Sequence, residues 1–265
     1  MSRTDAEIEG RLWAKLASMP AAEAAYNALP QTRGGKILSV DDARELSDDY
    51  LRDRTRSAAV HEPASAFIKA LYSQRLRRPR APGETPSVLF MAGGTGAGKT
   101  SSLRASPDLE ELPKKVPIIY DSNMNSLASA HQKIREALAT GHHARIVLVH
   151  RHPVDALING ALPRAMRQEA KYGSGRTVPL SAHLETHVGA METIPKLAEH
   201  YAKDPRVHFT YIDNSRGPGK AVEVGGEHLP GYNRKILAEQ LQAALDKEHR
   251  DGRISDAVYN GFNQS

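Results

Sequence analysis

Phe90 to Ser102 reads FMAGGTGAGKTSS, and Gly93, Gly98, Lys99 and Thr100 fall on every fixed position of the pattern GxxxxGK(S/T). That pattern serves the holding of phosphate. Phosphate oxygens lie against backbone N–H groups, and an inward Cβ would keep them away. The run Gly93, Gly94, Thr95, Gly96, Ala97, Gly98, Lys99, Thr100, Ser101 is therefore the expected cradle. Lys99 is placed to reach the β- and γ-phosphates of a nucleoside triphosphate, and the Thr100 hydroxyl to ligate the Mg²⁺ that bridges them. The cofactors expected are ATP or GTP, with Mg²⁺. A plain glycine turn would explain the positive φ but neither the lysine nor the hydroxyl.

Two further groups have types suited to phosphoryl transfer. Asp121, in IIYDSNMN, follows an apolar run and reads either as a carboxylate that helps hold Mg²⁺ or as the base for an attacking hydroxyl. Between Ala161 and Glu185, Arg164, Arg167, Lys171 and Arg176 gather around the bend YGSG. Arginines carried over a phosphate site neutralise charge on the γ-phosphoryl oxygens, and Arg164 and Arg176 are the expected pair. Glycines on both sides of Ser174 suggest a hinge. Three histidine pairs (His142 with His143, His150 with His152, His183 with His187) lack the glutamate and cysteine partners of a zinc site and read as core or surface residues.

These groups need a sheet to deliver them. Four apolar runs (SVLFM from Ser87, VPIIY from Val116, ARIVLVH from Ala144, VHFTYI from Val207) alternate with helical patterns. That alternation predicts an α/β fold of the P-loop NTPase type, a mainly parallel sheet flanked by helices, with ligands at the carboxyl ends of its strands. Helices are expected over the run ending at Gly141, over Leu180 to Asp204 with a bend near Pro195, and over the stretch beginning at Asn233. The run SRGPGKAVEVGG, Ser215 to Gly226, reads as a glycine-rich loop. Upstream, SVDDARELSDDYL and HEPASAFIKALY carry helix-start signals, so residues 1–80 form an N-terminal helical extension. His61 and Glu62 begin one of its helices, and a buttressing role is the expectation for them, with a place facing the nucleotide as the alternative. Arg75 to Ser87, rich in arginine and proline, reads as the linker to a core over 81–265.

Composition bounds the rest. With 265 residues the chain can bury a large core without staples, and the absence of cysteine excludes disulfides and thiolate chemistry. The first residues lack an apolar signal core and no stretch has membrane-spanning length, so the expected place is the cytoplasm. Thirty-six Lys and Arg against 31 Asp and Glu leave a net +5, which suits an anionic small-molecule substrate. With four Phe and one Trp and no nucleic-acid signature, nucleic acid is not the expected partner.

The P-loop GGTGAGKTSSL, the strand end YDSNMN, the stretch ATGHHARIVLVHRHPVDALINGALPRAMR and GRTVPLSAH occur in an order that resembles the zeta toxin family of P-loop kinases, over about Ser87 to Ser215. The resemblance implies a nucleotide-kinase-like fold, phosphorylation of a nucleotide sugar such as UDP-N-acetylglucosamine, and use as the toxin of a toxin–antitoxin pair with an antitoxin protein as partner. It makes Lys99 and Thr100 the P-loop lysine and hydroxyl, Arg164 the proximal and Arg176 the distal lid arginine. The family pattern holds one more carboxylate than this chain shows after its P-loop. Asp121 answers to one position, and Asp108, Glu62 and Asp213 are candidates for the other. A degenerate site in a nucleotide-binding scaffold, or a zeta-like effector kinase acting on NAD, are the alternatives.

Overall fold

The computed structural model describes residues 3–79, 86–217 and 219–264. Its centre is a six-stranded sheet in the order β1-β3-β2-β4-β5-β6. The strands are β1 (Ile37–Ser39), β2 (Ser87–Ala92), β3 (Ile118–Asp121), β4 (His143–His150), β5 (Val207–Asp213) and β6 (Val222–Val224). The first five run parallel and β6 pairs antiparallel with β5. All four expected strands are present, which establishes the α/β class.

Alternation along β2 divides the core. Val88, Phe90 and Ala92 face one layer, whereas Leu89 and Met91 face the other. The first layer holds α1 (Arg3–Leu16), α2 (Met19–Asn27), the short α3 (Val40–Ala43) and α4 (Asp48–Arg52), α5 (His61–Leu76), α8 (Leu127–Ala139) and part of α11 (Leu180–His200). The opposite layer is thinner: α6 (Lys99–Ser102) is a single turn, and α7 (Pro107–Lys115) follows after Ser106 caps it through the Leu109 N–H. A third cluster joins α9 (Pro153–Ala156), α10 (Leu162–Tyr172), α12 (Arg234–Arg250) and α13 (Asp256–Phe262) to α11.

Four expectations change. The N-terminal extension is not wholly helical, because Ile37–Ser39 becomes an edge strand parallel to β3. A three-residue run carries too little pattern to announce itself, and its outer edge is sealed by a side chain: Tyr26 Oη accepts the Ser39 N–H at 2.9 Å and donates to Ile37 O at 3.0 Å. The stretch from Arg75 is not all linker. Arg75 closes α5 and bonds Glu23, Asn27 and Gly35 O, and Arg78 grips both oxygens of Glu23. The remainder of that stretch, 80–85, lies outside the described residues, and so does the expected domain boundary. The loop from Ser215 includes β6, with the exception of Pro218, which is outside the described residues. Lastly, α11 ends at His200, short of Asp204, with Pro195 inside it.

Candidate active site

The P-loop connects β2 to α6. Gly93, Gly96 and Gly98 have φ of 129°, 79° and 82°, a left-handed backbone that lets the chain fold back over the strand ends. Their neighbours refine the reason for glycine. A Cβ on Gly96 would meet Ala156 O at 2.4 Å, and one on Gly160 would meet Gly96 O at 2.5 Å. These two glycines let the helix bearing Arg164 rest directly on the loop. Lys99 Nζ donates to Gly93 O at 3.3 Å and to Asn123 Oδ1 at 3.4 Å, and lies 3.5 Å from Asp121 Oδ1. Thr100 is exposed.

Two buried histidines of α11 support this loop. His187 Nε2 donates to Thr95 O and His183 Nε2 to Pro153 O, both at 2.9 Å. A carbonyl accepts only, so both rings carry their hydrogen on Nε2. Burial pushes His183 down to about 4, with the nearby Arg164 adding to the shift and the Pro153 bond opposing it. Burial, with His183 beside it, also pushes His187 well below the usual histidine range. The His187 ring lies against Gly94, where a Cβ would come within 2.2 Å. The other pairs serve elsewhere: His150 Nε2 shares a 2.6 Å hydrogen bond with Tyr232 Oη, and His142 is buried.

The arginines arrive on a helical arm. From Pro153 to Tyr172 the chain is helical throughout, with a π turn at Leu157–Ala161 where it crosses the P-loop. Gly173, at φ 78°, ends the arm. The GSG bend is docked rather than free: Ser174 Oγ accepts the Arg54 N–H at 2.8 Å, Arg176 N–H donates to Gln168 Oε1 at 2.9 Å, and Gly175 packs on Ala165 O. Arg164 and Arg176 enter the site, whereas Arg167 and Lys171 stay exposed.

Between the P-loop and the N-terminal layer lies a polar cavity of ≈ 350 Å³. Lys99, Thr95, Gly96, Asp121, Arg164 and Arg176 line it from the core, and Asp41, Arg44, His61, Ser65 and Lys69 from the N-terminal extension. Lys133 and Ser129 of α8 complete one end. A second cavity of ≈ 460 Å³ adjoins it and holds Thr100, Asp42 and Glu45. Ser39, Asp41, Asp121, Arg164 and Arg176 line both.

Charge is concentrated at that junction. Asp41 is ion-paired with Arg176 Nη1 and with Arg44 Nη1, the latter at 3.2 Å. Its surroundings alone would raise its carboxyl, but Arg176, Arg44 and Arg164 outweigh that and hold it well below the usual carboxylate range. Asp42 shifts the other way, up to about 7, through burial and the charges of Asp41, Asp121 and Glu45. Lys133 is brought down to about 8 by burial and by Lys69. Arg44 Nε, Arg164 Nε and Arg176 Nε are buried without hydrogen-bond partners, and so is Asp121 Oδ1. Three guanidinium groups with unused donors around one cavity are suited to an anion.

The structure brings Lys99, Asp121, Arg164 and Arg176 to one cavity and joins Thr100 to Asp121 in the next. It does not bring the three proposed extra acids there. Glu62 is exposed on α5, Asp108 sits in the first turn of α7, and Asp213 lies 3.5 Å from His150 at the end of β5. The groups that sequence reasoning missed are Asp41, Arg44, Lys69 and Lys133, whereas His61 lines the cavity, the alternative to a buttressing role. Part of the signal was present: His61, Ser65 and Lys69 recur every four residues along α5, a polar stripe on one helix face. Asp41 was visible only as a helix-start residue after the Ser39 cap.

The zeta toxin family model matches residues 110–217, which include Asp121, Arg164 and Arg176 and begin after the P-loop. The resemblance to that family is thereby borne out over this segment. No curated protein matches the chain. A solved structure from the characterisation of the PezAT chromosomal toxin–antitoxin system of Streptococcus pneumoniae is similar at 9% identity and a TM-score of 0.42, over 87% of this chain and 82% of that one. No functional argument follows from a likeness at that level. Among the described residues, no helix is long and apolar enough to cross a membrane.

Proposed function

We propose that the protein is a kinase that transfers the γ-phosphoryl of ATP or GTP to a hydroxyl of a small anionic molecule, with a nucleotide sugar such as UDP-N-acetylglucosamine the first acceptor to test. The observation that carries this reading is the convergence of Lys99, Asp121, Arg164 and Arg176 on one cavity beside the P-loop. A module that only binds nucleotide has no use for a second wall of charge, whereas transfer requires stabilisation of the γ-phosphoryl in flight. Lys99 would contact the β- and γ-phosphates, and Arg164 and Arg176 the equatorial oxygens. Lys69, Lys133, Arg44 and His61 give the acceptor side a basic wall, which favours an acceptor bearing its own negative charge.

The residues also fit Mg²⁺. Thr100 and Asp121 line the same cavity, and Asp121 Oδ1 has no hydrogen bond. Two oxygen donors beside a phosphate cradle suit an ion that takes few protein ligands and completes its shell with phosphate and water. When bound there it would neutralise charge on the bridged phosphates. In this reading the core, 81–265, supplies the donor site, and the N-terminal module, 1–80, together with Lys133 of the core, the acceptor wall. The resemblance to zeta toxins extends the proposal to a toxin held in check by an antitoxin protein.

The test incubates the purified protein with γ-labelled ATP, Mg²⁺ and a pool of nucleotide sugars and dinucleotides, read by mass spectrometry. A product heavier by one phosphate, absent with Lys99→Ala, is expected. Nucleotide retention with neither transfer nor hydrolysis would overturn the kinase assignment.

A further inference from the structure

We propose that the proton of the acceptor hydroxyl is taken by Asp41, a carboxylate delivered from ahead of the P-loop by β1, and that Asp121 works on the donor side with the metal. This assignment rests on the kinase reading above. Its basis is the topology of the sheet. β1 lies parallel to β3 with Ser39 in register with Asp121, so the residues following Ser39 emerge at the same carboxyl edge as Asp121. Tyr26 fixes β1 at its outer edge, and Ser39 Oγ accepts the Asp42 N–H to turn the chain into α3. An N-terminal segment thereby supplies an acid that the chain lacks after its P-loop.

Location separates the two carboxylates that both cavities share. Asp121 is 3.5 Å from the P-loop lysine and shares its second cavity with Thr100, which puts it beside the donor phosphates. Asp41 is held by Arg176 and Arg44, and Arg44 lines the cavity with His61 and Lys69, the acceptor side, and not the one with Thr100. Arg44 has a side chain only 8% accessible and an unpartnered Nε, so a buried donor points to an anion at this end. Asp42 is a poorer candidate because it does not line the acceptor cavity. Asp41, among three arginines, is held ionised, as the group that receives the proton must be.

The step balances. As the acceptor oxygen bonds to the γ-phosphorus, its proton passes to an Asp41 oxygen. The bond from that phosphorus to the β–γ bridging oxygen breaks, and its electron pair leaves with the nucleoside diphosphate. Asp41 then returns the proton to water. Arg176 joins the base to the phosphoryl group, since its Nη1 bonds Asp41 while its Nε is unused.

The experiment compares the unaltered chain with Asp41→Asn, Asp41→Glu and Asp121→Asn. It reads label transfer from γ-labelled ATP to UDP-N-acetylglucosamine and to water, a Mg²⁺ titration, and the affinity for a fluorescent ATP analogue. Asp41→Asn should lower both transfers at least about a hundredfold at saturating Mg²⁺ and nucleotide. Its nucleotide affinity and Mg²⁺ requirement should stay within about twofold, whereas Asp121→Asn should raise the Mg²⁺ needed. Asp41→Asn turning over within about tenfold of the unaltered chain, or losing nucleotide affinity in proportion to turnover, would overturn the assignment. Should Asp41→Asn not fold, Asp41→Glu decides, since it keeps the charge and displaces the carboxylate by one methylene: a loss of about tenfold or more supports the base role, and unchanged turnover overturns it. An unaltered chain that neither transfers nor hydrolyses overturns the kinase reading itself, a result distinct from an active Asp41→Asn.

Discussion

His183, wholly buried and bonded only through Nε2 to Pro153 O, must stay neutral for the helical arm to hold its place over the P-loop. Its value falls from 6.5 in the unfolded chain to about 4 in the folded one. Between these values the unfolded chain binds more protons, so this residue's contribution is intact above about pH 6.5, declines as pH falls, and levels off below about pH 4. Integration gives a loss of about 2 kcal/mol on going from pH 7 to pH 5. Asp42 runs the opposite way. Raised from 3.8 to about 7, it gains its proton in the folded state over the same interval and returns a comparable amount of stability.

The whole-protein pH profile therefore mixes opposing slopes, with His187 adding to that of His183, and only a difference isolates His183. The perturbation is His183→Gln, whose side-chain amide can still donate to Pro153 O but does not titrate. Any packing defect is the same at each pH. Urea unfolding of both proteins at pH 7 and pH 5 should show the unaltered chain losing about 2 kcal/mol relative to the variant. Parallel behaviour, with a difference below about 0.5 kcal/mol, would refute the claim that burial holds this histidine neutral.

Lys99→Ala should reduce turnover at least about a hundredfold by removing one oriented charge at the transition state, and any growth arrest on expression should vanish with it; label transfer and colony counts check the two. Gly96→Ala would press a methyl against Ala156 O in a backbone at φ 79°, so nucleotide affinity should fall while the sheet survives, read by nucleotide titration alongside far-ultraviolet circular dichroism. Arg75→Ala removes a side chain only 10% accessible that holds Glu23, Asn27 and Gly35 O, with an expected cost of about 3 kcal/mol in denaturant unfolding. Tyr26→Phe frees the edge of β1, costing about 1 kcal/mol, and should lower turnover as well if β1 carries the base.

The donor half of the site was legible because its chemistry is contiguous. Lys99 and Thr100 are neighbours, the run before them has the length and apolarity of a buried strand, and the alternation of strands with helices implies a mainly parallel sheet. Arg164 and Arg176 were found by type and by the bend between them, although the bend is packed against Ala165 and Arg54 rather than free to swing. The glycines were recognised with part of their cause missing, since phosphate contact says nothing of a helical arm seated on Gly96 through Gly160. Such approaches depend on where two distant elements cross, and no local pattern encodes that.

The wall of the cavity opposite the P-loop was hidden for a related reason. Asp41 owes its position to a strand of three residues, which has neither the length nor the alternation that identifies a strand in sequence. What makes Ile37–Ser39 a strand is pairing with β3 on one side and the Tyr26 hydroxyl on the other, contacts between segments far apart along the chain. Reading forward from the P-loop, as the order of motifs invites, therefore finds one carboxylate and a gap. On the assignment of Asp41 proposed above, the sheet fills the gap from the opposite direction, and the shortfall that suggested a degenerate binding module becomes a difference in which segment of the chain brings the second acid.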